Sequence, residues 1–196
     1  MVQDGQGNFM HNRATMVELE VSNDDWLLDA SDLTCTARKI FGMSCGALAS
    51  AAAQEPVLVG APKTIAFGAN ASNEIPIAIA RTHERVAALA VSIHVDPKLA
   101  TIDPTDADGD GTPDAVRFFV PDNLIRFAVV STASNTVHIL VMGMNVPLPT
   151  IPEGAVASVR VTPIAGAGSD IVLSNLSVGG TEGETVPVTA TDLDTV

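Results

Sequence analysis

Apolar and polar residues alternate with a period of two along most of this chain, the pattern of strands that bury one face and solvate the other. Val17, Leu19 and Val21 alternate with Glu18 and Glu20; Ile75, Ile77 and Ile79 with Pro76 and Ala78; Leu89, Val91, Ile93 and Val95 with Ala90, Ser92 and His94. Val116, Phe118 and Val120 follow around Arg117, then Ile125, Phe127 and Val129 around Arg126, which puts Phe118 and Phe127, like Phe67, in core phase. Val137, Ile139 and Val141 form the next run, Ala157, Val159 and Val161 another, and 171–178 and 186–188 complete the set. The spacers VPDN, ASNT, AGAGSD and GGTEGE carry turn chemistry. A helical pattern is confined to residues 40–54.

About nine short strands, each with one apolar face, bury those faces most economically against one another. The expected fold is all-β: a mostly antiparallel two-sheet sandwich of jelly-roll type. A parallel α/β fold lacks its helices. Residues 56–196 hold a self-sufficient set of strands. Residues 1–55 read as an N-terminal extension: the Val17–Val21 strand plus an Ala-rich connector with a possible short helix. The extension either belongs to the sandwich or is exchanged with a neighbouring copy.

Composition narrows the partners. With 10 basic against 23 acidic residues the net charge is −13, so nucleic acid and anionic membrane surfaces are disfavoured and cations are the natural small partners. No run reaches the roughly 18 apolar residues that a membrane span needs. Cys35 and Cys45 could form one disulfide in an exported protein or remain two buried thiols, and spacing alone leaves both open. Arg38-Lys39 followed by IFGMSCGALASAAAQEP reads as an Ala-rich helix or connector, or alternatively as a basic flank, apolar stretch and Ala-x-Ala exit of an export signal.

The most specific chemistry lies between two strands, where Asp103, Asp106, Asp108, Asp110 and Asp114 crowd into DPTDADGDGTPD. Like charges this close repel unless a cation gathers them. Counted from Asp106, the residues Asp106, Asp108 and Asp110 hold positions 1, 3 and 5, Gly111 position 6, Thr112 position 7 and Asp114 position 9 of a D-x-D-x-D-G calcium loop. The candidate metal ligands are therefore Asp106, Asp108, Asp110, Thr112 and Asp114, with Ca²⁺ as the cofactor. Position 12 is Arg117 where a helical calcium hand carries a bidentate Glu, and no helix pattern flanks the loop, which excludes a helix-loop-helix sensor. The remaining oxygens must come from elsewhere, with Asp96, Asp103 and Asp122 as candidates.

Residues 56–196 resemble the cohesin-like family of bacterial extracellular β-sandwiches, within the cohesin and carbohydrate-binding-module superfamily. The resemblance is carried by VAALAVSIHVDPKLATID, similar to a strand leading into a DP-x-L corner, by DADGDGTPDAVRFFVP, and by GAVASVRVTPIAGAGSDIVLSNLSV, similar to the family's final strand pair. It implies a secreted, non-catalytic module outside a prokaryotic cell that serves recognition, adhesion or scaffold assembly. Its partner would be a protein, either a dockerin-like module or other copies of the chain.

Catalysis has no candidate residue. His11, His83, His94 and His138 are scattered, and no G-x-S-x-G, H-E-x-x-H or phosphate-cradling loop is present. Two other functions remain open. The chain could be a structural subunit of a filament or surface layer, its Val17–Val21 strand added to a neighbour's sheet edge. It could instead bind polysaccharide, though the supply of free rings is thin: Trp26, Phe119, Phe9 and Phe41. Trp26, in DDWLLD, reads as a core anchor or an assembly hot spot.

Overall fold

In the computed structural model the described residues are 29–45, 55–68, 73–82, 85–145 and 147–193, with the backbone of two short strands, β1 (Val2–Gln3) and β2 (Phe9–Met10). The predicted strand Val17–Val21, Trp26 and His11 lie outside them, as does His83.

Two sheets face each other. One has the order β14 (Thr185–Val186), β13 (Gly168–Gly180), β6 (Val86–Val95), β10 (Thr136–Gly143), β9 (Leu124–Ser131), with β4 (Thr64–Ala66) also pairing β13. The other runs β15 (Val188–Asp192), β3 (Val57–Ala61), β5 (Glu74–Arg81), β11 (Gly154–Arg160), β8 (Val116–Phe118). A small ladder joins β7 (Ala100–Thr101) to β12 (Thr162–Pro163). Pairing is antiparallel except between β15 and β3, which run parallel. This is the all-β two-sheet sandwich that the alternation predicts.

Its core is built from the inward positions of both sheets: Val57 and Val59; Ile75, Ile77 and Ile79; Leu89, Val91, Ile93 and Val95; Val137, Ile139 and Val141; Val156 and Val159. Each such side chain contributes about 1.5–3 kcal/mol by leaving water. Pro76 stands in β5, which has a neighbour on each side. It is tolerated because β3 pairs only with Ala78, Ile79 and Arg81, leaving no ladder bond on that edge for the missing N–H to make.

Two expectations are corrected. Ile125, Phe127 and Val129 do not face the core: they are 44%, 50% and 45% exposed, while Leu124 and Ala128 are buried. The register explains this, since inward Ile139 stands opposite Ala128 and inward Val141 opposite Arg126. Both phases of LIRFAVV are apolar apart from Arg126, so the arginine suggested the wrong solvent face. Arg126 is tolerated on the inner phase of a terminal strand because its side chain reaches solvent, 39% exposed, and pairs with Asp122 at 3.1 Å.

The helical stretch is likewise corrected where it can be followed. The helix, α1, spans Ala30–Ile40; of the expected 40–54, residues 41–45 are turn and irregular backbone and 46–54 lie outside the described residues. Asp29 caps it, accepting the N–H groups of Ser31 and Asp32 at 2.8 and 3.2 Å, while Asp32 accepts the Asp29 N–H at 3.1 Å. That reciprocal box, with Arg38 and Lys39 in the last turn to suit the dipole, explains both ends. The helix lies on the outer face of the β13–β6–β10 sheet, where Ala30 packs with Ala88 and Met142, and Ala37 with Ala87 and Leu148. The Cys35–Cys45 alternative resolves to a disulfide, its Cα atoms 5.3 Å apart. Arg38 donates to the Thr181 and Ser44 carbonyls at 2.7 and 2.8 Å and pairs with Glu182 at 2.7 Å, tying the helix end to the turn after β13. No helix among the described residues is long and apolar enough to cross a membrane.

Candidate functional site

The acidic loop links β7 to β8 and is fixed at both roots. Ile102 and Ala115, its first and last residues, are buried in the sandwich core. At the first root the Ile102 N–H donates to Asn135 Oδ1 at 3.0 Å. At the second, Arg160 donates its backbone N–H to the Ala115 carbonyl at 2.7 Å and Nη2 to the Asp114 carbonyl at 3.0 Å. Between the roots the Asp114 N–H closes onto the Thr105 carbonyl at 2.7 Å.

Within this frame the aspartates organise the backbone. Asp106 Oδ1 accepts the N–H groups of Gly109 and Asp110 at 2.9 and 3.1 Å, and its Oδ2 that of Gly111 at 2.9 Å. Such wrapping needs sharp turns, and Gly109 and Gly111 take φ of 73° and 85°. Asp114 accepts the Ala107 N–H at 3.2 Å, drawing the ends of the loop together.

Carboxylate oxygens of Asp106, Asp108 and Asp114 consequently lie within 4.8 Å of one another, all three residues exposed. Of the five predicted ligands, these are the three brought together. Asp110 is not among them: its Oδ1 takes the Thr112 N–H at 2.7 Å. Of the supplementary oxygens, Asp96 accepts the Lys98 N–H at 2.9 Å, Asp103 is bonded to Thr105, and Asp122 is paired with Arg126. Two Thr105 donors, first the hydroxyl at 2.6 Å and then the N–H at 3.0 Å, hold the Asp103 carboxyl below its ordinary value, with Arg160 adding a smaller pull against slight desolvation. The donor set is hard oxygen alone, without nitrogen or sulfur, and Asp106 Oδ2, which accepts a single N–H, keeps a lone pair for a cation while Oδ1 is taken up by two. Those features fit calcium rather than zinc or copper.

A second feature was not legible in the sequence. On the outer face of the β13–β6–β10–β9 sheet, beside α1, a groove of about 320 Å³ is lined by Asp29, Leu33, Phe127, His138, Leu140 and Asn175, among others. At its floor Ser92 Oγ and His138 Nδ1 share a hydrogen bond at 2.7 Å, and Asn175 Nδ2 donates to the same oxygen at 3.2 Å. The phase reversal of β9 is what brings Phe127 here. His94, on the same strand as Ser92, bonds the Ser134 carbonyl at 2.8 Å.

No family model matches the sequence, and no curated protein matches it. Among solved structures the chain is similar to cohesin modules. A type II cohesin from Bacteroides cellulosolvens is 14% identical over 70% of this chain and 96% of its own, with a TM-score of 0.48. A non-cellulosomal cohesin from the archaeon Archaeoglobus fulgidus is 12% identical over 70% and 86%, at 0.45. The cohesin of a cohesin–dockerin complex from Clostridium thermocellum is 12% identical over 72% and 94%, at 0.47.

Proposed function

We propose that this chain is a non-catalytic recognition module working outside the cell, with a calcium-stabilised loop at one end of its sandwich. The observation that carries the recognition reading is β9. It is an eight-residue terminal strand with three large apolar side chains in solvent, Ile125, Phe127 and Val129, and among the described residues no strand pairs its outer edge. Exposed stripes and unpaired edges of this kind are what partner strands and apolar partner faces use. By contrast the other sheet ends in the three-residue β8 and the five-residue β15, and β14 has two residues, all shorter than β9. The Cys35–Cys45 bridge suits an oxidising, extracellular setting.

Asp106, Asp108 and Asp114, whose carboxylate oxygens lie within 4.8 Å of one another, would hold the calcium, with Asp110 and the Thr112 carbonyl as the further oxygens that the loop's spacing would supply. The ion's contribution would be charge neutralisation, leaving the loop in one shape. Thermal unfolding in calcium and in chelator tests this, since a ligand at about 100 times its Kd adds about 2.7 kcal/mol. A rise in Tm that Asp106→Asn abolishes is the expected result. An unchanged Tm up to millimolar calcium would remove the metal from the account.

For recognition, titration calorimetry against dockerin-like modules and pelleting with insoluble polysaccharides separate the two partner classes, and light scattering reports self-association. Binding or assembly lost in Ile125→Asp and Val129→Asp supports the β9 reading; binding that survives both places the partner elsewhere.

A further inference from the structure

The outer edge of β9 fits a second copy of itself. We infer that two copies of this chain pair β9 against β9, antiparallel about a two-fold axis at Phe127, so that one sheet runs through both. This rests on the β9 reading above and names its partner, another copy of the chain.

The first argument is the pattern of the strand. When a sheet continues across a two-fold axis, opposite residues lie on the same face, so each face must complement its own reverse. With Phe127 opposite its counterpart, Ile125 meets Val129 of the second copy and Val129 meets Ile125, so every exposed apolar side chain of β9 finds an apolar partner. On the other face Leu124 meets Val130 and Arg126 meets Ala128. Moving the axis by one residue spoils this. An axis at Arg126 sets two guanidinium groups side by side, a destabilising pair, and an axis at Ala128 puts Ile125 opposite Ser131.

The second argument is how little defends the edge. Exposed edge strands are ordinarily blunted by Pro, Lys, bulges or inward charges. β9 has neither Pro nor Lys, and its ladder with β10 runs without a bulge from Ser131 to Leu124, whereas the ladders of β11 with β5 and β13 with β6 carry register shifts. Its one inward charge, Arg126, is balanced by Asp122 of the same chain at 3.1 Å and faces the smallest side chain of the strand. Arg126 thus blocks the shifted register and admits this one.

Charge sets the conditions. Each copy carries −13, so the copies repel at low salt, and their association should tighten as salt screens them. A basic partner held by charge would show the opposite dependence.

The chain's two cysteines are bridged to each other, so an introduced cysteine is a clean reporter. Ile125→Cys chains mixed with Val129→Cys chains should cross-link under mild oxidation. Neither variant alone should, because like positions then stand about 14 Å apart, four residues along the strand. In sedimentation the unaltered chain should move from monomer to dimer as salt is added. Phe127→Asp and Phe127→Lys should each stay monomeric, and their equal mixture should regain the dimer, since position 127 faces its own counterpart. Circular dichroism confirms that these variants fold.

A chain that stays monomeric at about 1 mM in about 1 M salt, where charge is screened within about 3 Å, would overturn the inference. The β9 reading would survive that result if another protein's binding is lost in Ile125→Asp and Val129→Asp, and would fall with it if binding survives both. A dimer that cross-links through either cysteine variant alone would overturn the pairing at Phe127. So would a dimer that Phe127→Asp leaves intact, by placing the contact elsewhere.

Discussion

Asn135 Oδ1 accepts the Ile102 N–H at 3.0 Å, so a residue of the β9–β10 turn holds the first root of the acidic loop. Its Nδ2 donates to the Val95 and Ala100 carbonyls at 2.8 and 3.0 Å, which clamps three segments through one side chain. The residue is 5% exposed and sits at φ 49°, a left-handed conformation that asparagine tolerates better than most side chains. Asn135→Ala strands three buried backbone groups and should cost about 3–4 kcal/mol in urea unfolding. Asn135→Asp keeps the acceptor for Ile102 but turns a carboxylate oxygen towards the Val95 and Ala100 carbonyls in a buried site, and should cost at least as much. If Asn135→Ala unfolds at the unaltered protein's urea midpoint, the loop is held by something else.

The contact of α1 with β13 depends on one missing side chain. A Cβ on Gly179 would stand 2.5 Å from the Ala30 carbonyl oxygen and 2.8 Å from Thr34 Oγ1, nearer than real Cβ atoms come. Gly179→Ala should therefore push the first turn of the helix off the sheet at a cost of about 1–3 kcal/mol. Hydrogen exchange should quicken in residues 30–37, while β6 and β10 keep their protection. Protection unchanged in the helix would mean that the helix does not rest where the structure places it.

The strands were legible because strand burial repeats every second residue, and the core positions predicted in β5, β6 and β10 follow from that period, while in β11 a bulge between Ala155 and Ala157 brings Val156 into the core as well. The β9 phase was not, because at LIRFAVV both faces offer apolar residues and only the register with β10 selects between them. The helix escaped notice for a different reason. Its capping box uses Asp32 in place of the usual Glu or Gln, and its buried positions include Ser31, Asp32 and Thr34, so no apolar stripe announces it. In the acidic loop, spacing named the residues, but only the wrapping of Asp106 around three N–H groups shows that Asp108 and Asp114 converge on it while Asp110 turns to Thr112. The clamp by Asn135 carries no sequence mark beyond a turn-forming ASNT.

The Cys35–Cys45 bridge closes a short loop at the end of α1 and contributes chiefly to the extension. By the chain-entropy estimate such a loop adds roughly 2–3 kcal/mol to the segment it closes. Cys35→Ser with Cys45→Ser should accelerate exchange in α1 and leave the main unfolding transition of the sandwich within about 1 °C, since Arg38 still ties the helix to Thr181 and Glu182 and the sandwich core lies on the other side of the sheet. A fall in the main transition equal to that of a core substitution would show the extension to be an integral part of the sandwich.

Acid should loosen the loop's first turn through Asp103. Its folded carboxyl titrates below the ordinary 3.8, chiefly because the ionised form accepts the Thr105 hydroxyl and then the Thr105 N–H. A carboxyl whose folded value is depressed adds stability that is complete above the unfolded value. That contribution is lost as the pH falls through the lower folded one. In chelator-treated protein the window therefore lies below pH 3.8. Following the Asp103 carboxyl carbon by NMR should give a midpoint under that value, and Thr105→Val, which removes the larger of the two donors while keeping the N–H, should raise it part of the way back. A midpoint that Thr105→Val leaves in place would take the hydroxyl out of the account and leave the Thr105 N–H and Arg160, which Arg160→Gln would tell apart.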